Sequence, residues 1–236
     1  MIQTTLSKCT QSMGISLSDE MLDKFKAYSD MLVSWNEKMN LTAITEPFDI
    51  ASKHFADSLA GLKFIKDGQS LIDVGTGAGF PGIPLKIACP TLSLTLLDSL
   101  AKRLKFLDAV VDELKLENVR TIHSRAEDGA KYGEALRESF DISVSRAVSR
   151  LNVLSEYCLP YVKVGGVFLA YKGSDVTEEA NESLNAVKLL GGEISDIYTY
   201  PIPLTDITHS IVVIQKVKET PDKYPRLQGK ISKQPL

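Results

Sequence analysis

The chain is short of the residues that build metal centres and disulfide frameworks. Its 236 residues include three cysteines, three histidines and one tryptophan. Cys9, Cys89 and Cys158 lie far apart, and an odd, scattered set suits neither a disulfide framework nor zinc spacing. Cys158 is expected to be a small buried hydrophobe rather than a nucleophile. His54, His123 and His209 are scattered too, and no pair has the spacing of a metal motif, so no metal is expected. No apolar run approaches the ~20 residues that span a bilayer. Residues 1–13 lack the basic-then-apolar pattern of a signal peptide. A cytoplasmic protein without membrane contact is expected. A basic excess is also missing: 27 Lys and Arg stand against 30 Asp and Glu, a net charge of -3. That excludes a protein gripping nucleic acid with its whole surface, but not one with a local basic face. There is no internal repeat and no low-complexity segment.

What is present is enough apolar material for one sizeable core, at 44% of residues. From Ser18 to about Asn40, Met21, Leu22, Phe25, Tyr28, Met31, Leu32 and Trp35 recur at three- and four-residue steps. This spacing predicts an amphipathic helix capped by Ser18 or Asp19. Pro47 restarts a helical pattern that runs from Phe48 to Phe64. Residues 1–65 are therefore expected to form a helical extension packed on a core domain of residues 66–218.

From residue 70 onward, apolar strands alternate with helices. The expected strands are Ser70–Val74, Leu92–Leu97, Val119–Ile122, Phe140–Val144 and Gly166–Tyr171. The helices between them are expected at Gly82–Ala88, Ala101–Leu114, Leu151–Leu159 and Thr177–Leu190. Two further strands, Glu193–Tyr200 and His209–Val217, have only a Pro201- and Pro203-containing loop between them and read as an antiparallel return. The pattern predicts an α/β fold with a seven-stranded, mostly parallel sheet and helices on both faces. Residues 219–236 read as a basic tail, either solvated or an arm for phosphates.

In such a sheet the ligand sits outside the carboxyl ends of the strands. The first strand runs into Gly75-Thr76-Gly77-Ala78-Gly79-Phe80-Pro81-Gly82. Alternate glycines between a buried strand and a helix start make a cradle of backbone N–H groups. At the other strand ends stand Asp98-Ser99, Arg125-Ala126-Glu127-Asp128, Ser145-Arg146 and Lys172. Asp98, about twenty residues past the glycines, suits the hydroxyls of a ribose or, in the blander reading, caps a helix. Arg125 and Arg146 equally suit structural ion pairs with Glu127 or Asp98, and His54 suits a packed helix position. Gly77–Gly82 satisfies G-x-G-x-x-G, which keeps a nicotinamide-dependent dehydrogenase open. Counted from Gly75, however, Phe80 takes the place of the last glycine and obstructs a pyrophosphate. A sulfonium cofactor has no pyrophosphate and tolerates an aromatic neighbour. S-adenosyl-L-methionine is therefore preferred, with Gly75, Gly77, Gly79 and Phe80 in its cradle.

Six segments in this order closely resemble the RsmG family, also called glucose-inhibited division protein B. They are Asn40-Leu41-Thr42-Ala43-Ile44, His54-Phe55-Ala56-Asp57-Ser58-Leu59, Asp73 to Leu85, Arg125-Ala126-Glu127-Asp128, Ser145-Arg146-Ala147-Val148 and Tyr171-Lys172-Gly173. The resemblance spans nearly the whole chain. It implies a class I Rossmann-like methyltransferase acting on N7 of a guanine in the 530 loop of 16S rRNA, as naked RNA or in a small-subunit precursor, and a monomer is expected. It implies that Gly75, Phe80, Ala126, Glu127 and Arg146 contact S-adenosylmethionine, with Asp98, Ser99 and Leu100 doing so in some members. It also implies that Asn40, His54, Arg125, Arg146 and Lys172 surround the reacting centre. A methyltransferase of small molecules or proteins is the remaining alternative, favoured by the mildly acidic charge.

Overall fold

The computed structural model describes residues 1–146 and 149–236. Ala147 and Val148, the end of one motif quoted above, lie outside the described residues. Seven strands form one sheet: β1 (Ser70–Val74), β2 (Ser93–Asp98), β3 (Val119–His123), β4 (Phe140–Arg146), β5 (Val162–Lys172), β6 (Gly192–Pro201) and β7 (Thr208–Lys216). Their order is β3-β2-β1-β4-β5-β7-β6. β1 pairs in parallel with both β2 and β4, and β7 is antiparallel to β5 and β6. The chain leaves β1 for β2 on one side and later returns to β4 on the other. A crevice therefore opens above the carboxyl end of β1, the switch point of such sheets.

Strand residues alternate between two hydrophobic clusters, as a period of two requires. Leu71, Val144, Leu169 and Tyr171 face the cluster built with Leu6, Phe25, Tyr28, Leu32 and Phe55 of the N-terminal helices. Ile72, Phe168, Ala170 and Ile214 face the other, with Leu154, Cys158, Ala180 and Val187. The helix Asp19–Met39 begins where the Ser18 hydroxyl accepts from the Met21 N–H, and ends at Asn40 in the left-handed conformation (φ 50°). Residues 47–64 are helical throughout, but their winding is uneven. Ile50–Ala56 is a π-helix and Ala60–Phe64 a 3-10 turn. A π turn frees carbonyl groups from the usual ladder, and such segments often occur at functional sites.

Three segments depart from the sequence expectation. Ile2–Ser12 is a helix that buries Ile2, Leu6 and Cys9. Its apolar positions are few and interleaved with Thr, Ser and Lys, so no strong periodicity marks it. β5 starts at Val162 rather than Gly166, with an irregular register between Phe140 and Ile142 of its partner and Gly165 at φ 88°. The chain after β7 is anchored rather than solvated. Lys216 is buried, with its Nζ donating to the Leu159 carbonyl and Thr220 hydroxyl and pairing with Glu138 at 2.8 Å. Arg226 forks onto the buried Glu156, Nη2 to Oε2 at 2.6 Å and Nε to Oε1 at 2.9 Å, and Tyr224 and Ile231 are buried. Arg226 of the expected phosphate arm, and Lys216 just ahead of it, are thus committed to structural carboxylates. No helix among the described residues is long and apolar enough to cross a membrane.

Candidate functional site

The loop after β1 is built by backbone and two carboxylates. Gly75, Gly77 and Gly79 all have left-handed φ, at 72°, 63° and 99°. The amides of Gly75 and Thr76 donate to the Leu97 carbonyl, which ties the loop to the end of β2. Asp73 Oδ2 accepts from the Thr76 hydroxyl and the Gly82 N–H, both at 2.8 Å, so one oxygen holds both ends of the loop. Burial raises the Asp73 pKa to about 7 against the opposing effect of those two donors. Its other oxygen, Oδ1, has no partner among the described residues. Asp98 Oδ2 accepts from the Gly77 N–H and its Oδ1 from the Leu100 N–H, each at 2.9 Å, and Arg103 lies 3.2 Å away. Tyr28, from the helix Asp19–Met39, donates to the Ala78 carbonyl at 2.5 Å.

This loop lines a cleft of about 590 Å³ together with Phe80, Asp98, Ser99, Arg125, Ala126, Glu127, His54 and Arg146. Expected residues divide here. Gly75, Gly77 and Phe80 line the cleft, whereas Gly79 points its Cα at Tyr28, Ile83 and Leu107, where a Cβ would lie 2.6 to 3.0 Å from their side chains. Gly79 thus serves close packing. At Gly77, a Cβ would meet nothing within 4 Å. Leu100 is 42% exposed, and its backbone N–H, rather than its side chain, is what Asp98 holds. Asn40 is exposed and outside the cleft lining; its neighbours Leu41 and Thr42 line it instead. Glu127 is buried, and the nearest cation, Arg125, stands 3.9 Å off with a side chain 56% exposed.

Arg146 and His54 form the wall at the far side. Arg146 Nη1 pairs with Asp57 Oδ2 at 2.9 Å, and its Nη2 lies 3.2 Å from His54 Nδ1. A guanidinium only donates, so His54 Nδ1 accepts and the ring proton sits on Nε2. That Nε2–H then donates to Thr42 Oγ1 at 2.8 Å. Burial, joined by the Arg146 charge, lowers the His54 pKa to about 3. His54 is therefore neutral, with both nitrogens committed. Its ring stacks on Phe80 at 4.4 Å between centroids, and the Arg146 guanidinium lies 4.9 Å from the same ring. The chain fold also allows Arg146 to reach the carbonyls of Lys53 and His54 at 3.4 Å, in the π-wound segment.

Arg146 and His54 also line a second cavity of about 430 Å³ on the β5 and β7 side. Lys172 opens onto it, with Nζ donating to the Ser149 carbonyl and paired with Glu179 at 2.7 Å. Sequence reasoning passed over Asp57 and His209 as site residues. Asp57 stands three residues after His54 in a quoted motif, which was a usable signal; His209, in no motif, carried none. No group of three or more His, Cys, Asp or Glu residues that can hold a metal occurs among the described residues.

The cleft fits an adenosyl sulfonium ligand on its own chemistry. A glycine with open space above it admits close approach, a buried carboxylate with few donors can accept from hydroxyl or amine groups, and an aromatic face receives a cation.

Comparison with known proteins agrees. Residues 21–201 match the family model described as rRNA small subunit methyltransferase G. The chain is 50% identical over 233 residues to the ribosomal RNA small subunit methyltransferase G of Clostridium perfringens (strain 13 / Type A), covering 98% of this chain and 97% of that one. Among solved structures it is similar to M. jannaschii TYW2 in complex with AdoMet (TM-score 0.54, 15% identity, 69% of this chain and 76% of that one). It is also similar to the 16S rRNA (adenine(1408)-N(1))-methyltransferase from Catenulisporales acidiphilia (TM-score 0.52, 16% identity, 69% and 94% covered). At these identities the two structures speak to the Rossmann-like methyltransferase fold alone.

Proposed function

The chain belongs to the rRNA small subunit methyltransferase G family, and from that premise we propose that it methylates N7 of a guanine in the 530 loop of 16S rRNA. It is an S-adenosylmethionine-dependent rRNA methyltransferase. Acting on a small molecule or protein, or as a dehydrogenase, is not favoured. We assign Gly75, Gly77, Phe80, Asp98, Ser99, Ala126, Glu127 and Arg146 to the cofactor, and His54, Arg125 and Lys172 to the reacting centre and its RNA. The protein works in the cytoplasm, as a monomer, on the small subunit or its precursor.

When bound, the cofactor supplies an electrophilic methyl group: the N7 lone pair forms the new N–C bond while the C–S pair passes to sulfur. No proton leaves the base, so no general base is required. The observation that carries the N7 reading is the state of His54, neutral with both nitrogens bonded. An imidazole so committed positions groups and takes no proton. What remains for the protein is in-line placement, which is worth several kcal/mol when reacting atoms are held in attack geometry. The glycine loop, fixed from three sides by Asp73, Asp98 and Tyr28, supports such placement of the donor. Arg146, braced by Asp57, supports it at the boundary between donor and acceptor. The test is mass spectrometry of 16S rRNA from a strain lacking the protein, with transfer of labelled methyl by the purified chain to small subunits from that strain. Loss of the 7-methylguanine and its restoration are expected; a guanine still methylated without the protein sinks the reading.

A further inference from the structure

The cavity on the β5 and β7 side has a chemistry distinct from the glycine-loop cleft. Its walls include the apolar side chains of Ile44, Ile202 and Ile207 and the ring of Tyr171. Its volume of about 430 Å³ lies within the roughly 300–1,000 Å³ of small-ligand sites. A cavity with apolar walls and polar groups at its edges suits an unstacked base, which protein sites take by packing its faces and hydrogen-bonding its edge. Because His54 and Arg146 line both spaces, a base seated here adjoins the cleft that holds the methyl donor.

The edge groups are not alike. Lys53, Lys172 and Arg146 only donate, and each is already paired with a carboxylate. Both nitrogens of His54 are taken. His209 differs. Its Nδ1 lies 2.9 Å from Asp57 Oδ1, and that oxygen also accepts from the Tyr200 hydroxyl at 2.8 Å. Burial pushes the Asp57 pKa up, but the His209 and Tyr200 hydrogen bonds and the Arg146 charge outweigh it and keep Asp57 ionised. A carboxylate can only accept, so His209 carries its proton on Nδ1. In the neutral ring Nε2 is then a lone-pair acceptor, and no described residue claims it.

We propose that this cavity receives the acceptor guanine and that His209, oriented by Asp57, selects it by accepting a hydrogen bond from the guanine N1–H or 2-amino group at Nε2. The assignment rests on the guanine reading above. Guanine offers N–H donors on that edge beside the O6 acceptor, which suits Lys172. Adenine presents a lone pair at N1, which faces the Nε2 lone pair unfavourably. His209 is thus a specificity residue, and Asp57 positions it by fixing the tautomer, as carboxylates orient metal-bound and catalytic imidazoles.

The experiment uses the full chain saturated with S-adenosylhomocysteine, so that the cleft is filled. Long-range 15N–1H spectra of the histidines are recorded with guanosine 5′-monophosphate and with adenosine 5′-monophosphate. The proposal expects His209 to carry a proton on Nδ1, an Nε2 shift on adding the guanine nucleotide, and none with the adenine nucleotide. An Nε2 resonance that ignores guanine, or moves equally for both, overturns it. In parallel, His209→Ala should keep wild-type affinity for S-adenosylhomocysteine by calorimetry while losing about tenfold or more in kcat/KM on small subunits, a loss of one hydrogen bond to a buried partner. His209→Gln, whose amide oxygen can accept, should recover part of it. Unchanged kcat/KM in His209→Ala overturns the proposal. If wild type methylates no guanine, the functional reading fails on that result, while the nucleotide spectra still decide the pocket.

Discussion

The two cavities that meet at Arg146 are made in opposite ways. The glycine-loop cleft is a backbone construction. Its shape follows from positive φ at Gly75, Gly77 and Gly79 and from backbone amides held by Asp73 and Asp98. The neighbouring cavity is a side-chain construction. Asp57, His209, Tyr200 and Arg146 come from the helical turn just after the π-wound segment and from three strands, and one carboxylate joins them. A ligand that is the same in every turnover can be met by fixed backbone. An acceptor that must be told from its analogues is met by side chains, which donate and accept selectively.

Breaking the shared wall should have the largest effect. Arg146→Ala leaves Asp57, 2% exposed, without its guanidinium partner. Removing one member of a buried pair typically costs about 3–5 kcal/mol. Denaturant unfolding should show that loss, and calorimetry should show weaker S-adenosylmethionine binding; wild-type values in both would place Arg146 outside the wall. Arg146→Lys should not restore it, because one ammonium cannot replace the guanidinium fork. The glycines sharpen the comparison next. Gly79→Ala meets Tyr28, Ile83 and Leu107 and a φ of 99°, so overpacking and strain together should cost about 2–4 kcal/mol of stability. Gly77→Ala, with open space and φ of 63°, should cost about 1 kcal/mol of stability and fall mainly on cofactor affinity. Equal destabilisation of the two would erase the distinction between a packing glycine and a cleft glycine.

On the other side of the wall, Lys172→Ala should leave cofactor affinity unchanged and lower turnover on small subunits by about tenfold, or roughly 1.4 kcal/mol. A parallel loss of cofactor binding would move Lys172 to the cleft. The smallest effect is a pH slope. His54 has a folded pKa near 3, well below its ordinary 6.5, so its contribution is present above pH 6.5 and lost as the pH falls toward 3. Between about pH 7 and 5.5 that amounts to about 1 kcal/mol. Asp73 acts with the opposite sign: raised to about 7, it contributes most below its ordinary 3.8 and loses that as the pH rises toward 7. The difference between wild type and His54→Asn over this range isolates His54; identical slopes would mean that the ring is not held neutral by the fold.

The same contrast explains what could be read from the residues. The glycine loop of the cleft was legible because it is contiguous: β1, the glycines and the following helix lie within residues 70–88, whereas His54, Asp98, Glu127 and Arg146 reach the cleft from separate segments. The strand count and the antiparallel end were legible through period and the Pro201–Pro203 loop. The directions of Gly79 and Asn40 were not legible, because a motif gives positions and not the way a Cα faces. Gly79 faces Tyr28, some fifty residues away in the chain, and Asn40 spends its left-handed backbone on ending a helix. The second cavity was illegible because its members, from Ile44 to His209, are joined only by tertiary contact. The docked tail escaped for a similar reason. Glu156 reads as an ordinary helix residue until Arg226 is beside it.

The hydroxyl of Tyr28 carries one more consequence. It joins a helix that precedes the sheet to the carbonyl of Ala78 in the middle of the glycine loop, and its ring is wholly buried. Opening the helix there breaks a contact with the loop, so the two openings are coupled. By mass action, a ligand bound to the loop raises the free energy of opening for both. Amide exchange along residues 19–39 should slow when the cleft is filled, although those amides lie in a different segment of chain, and in Tyr28→Phe that slowing should be confined to the loop.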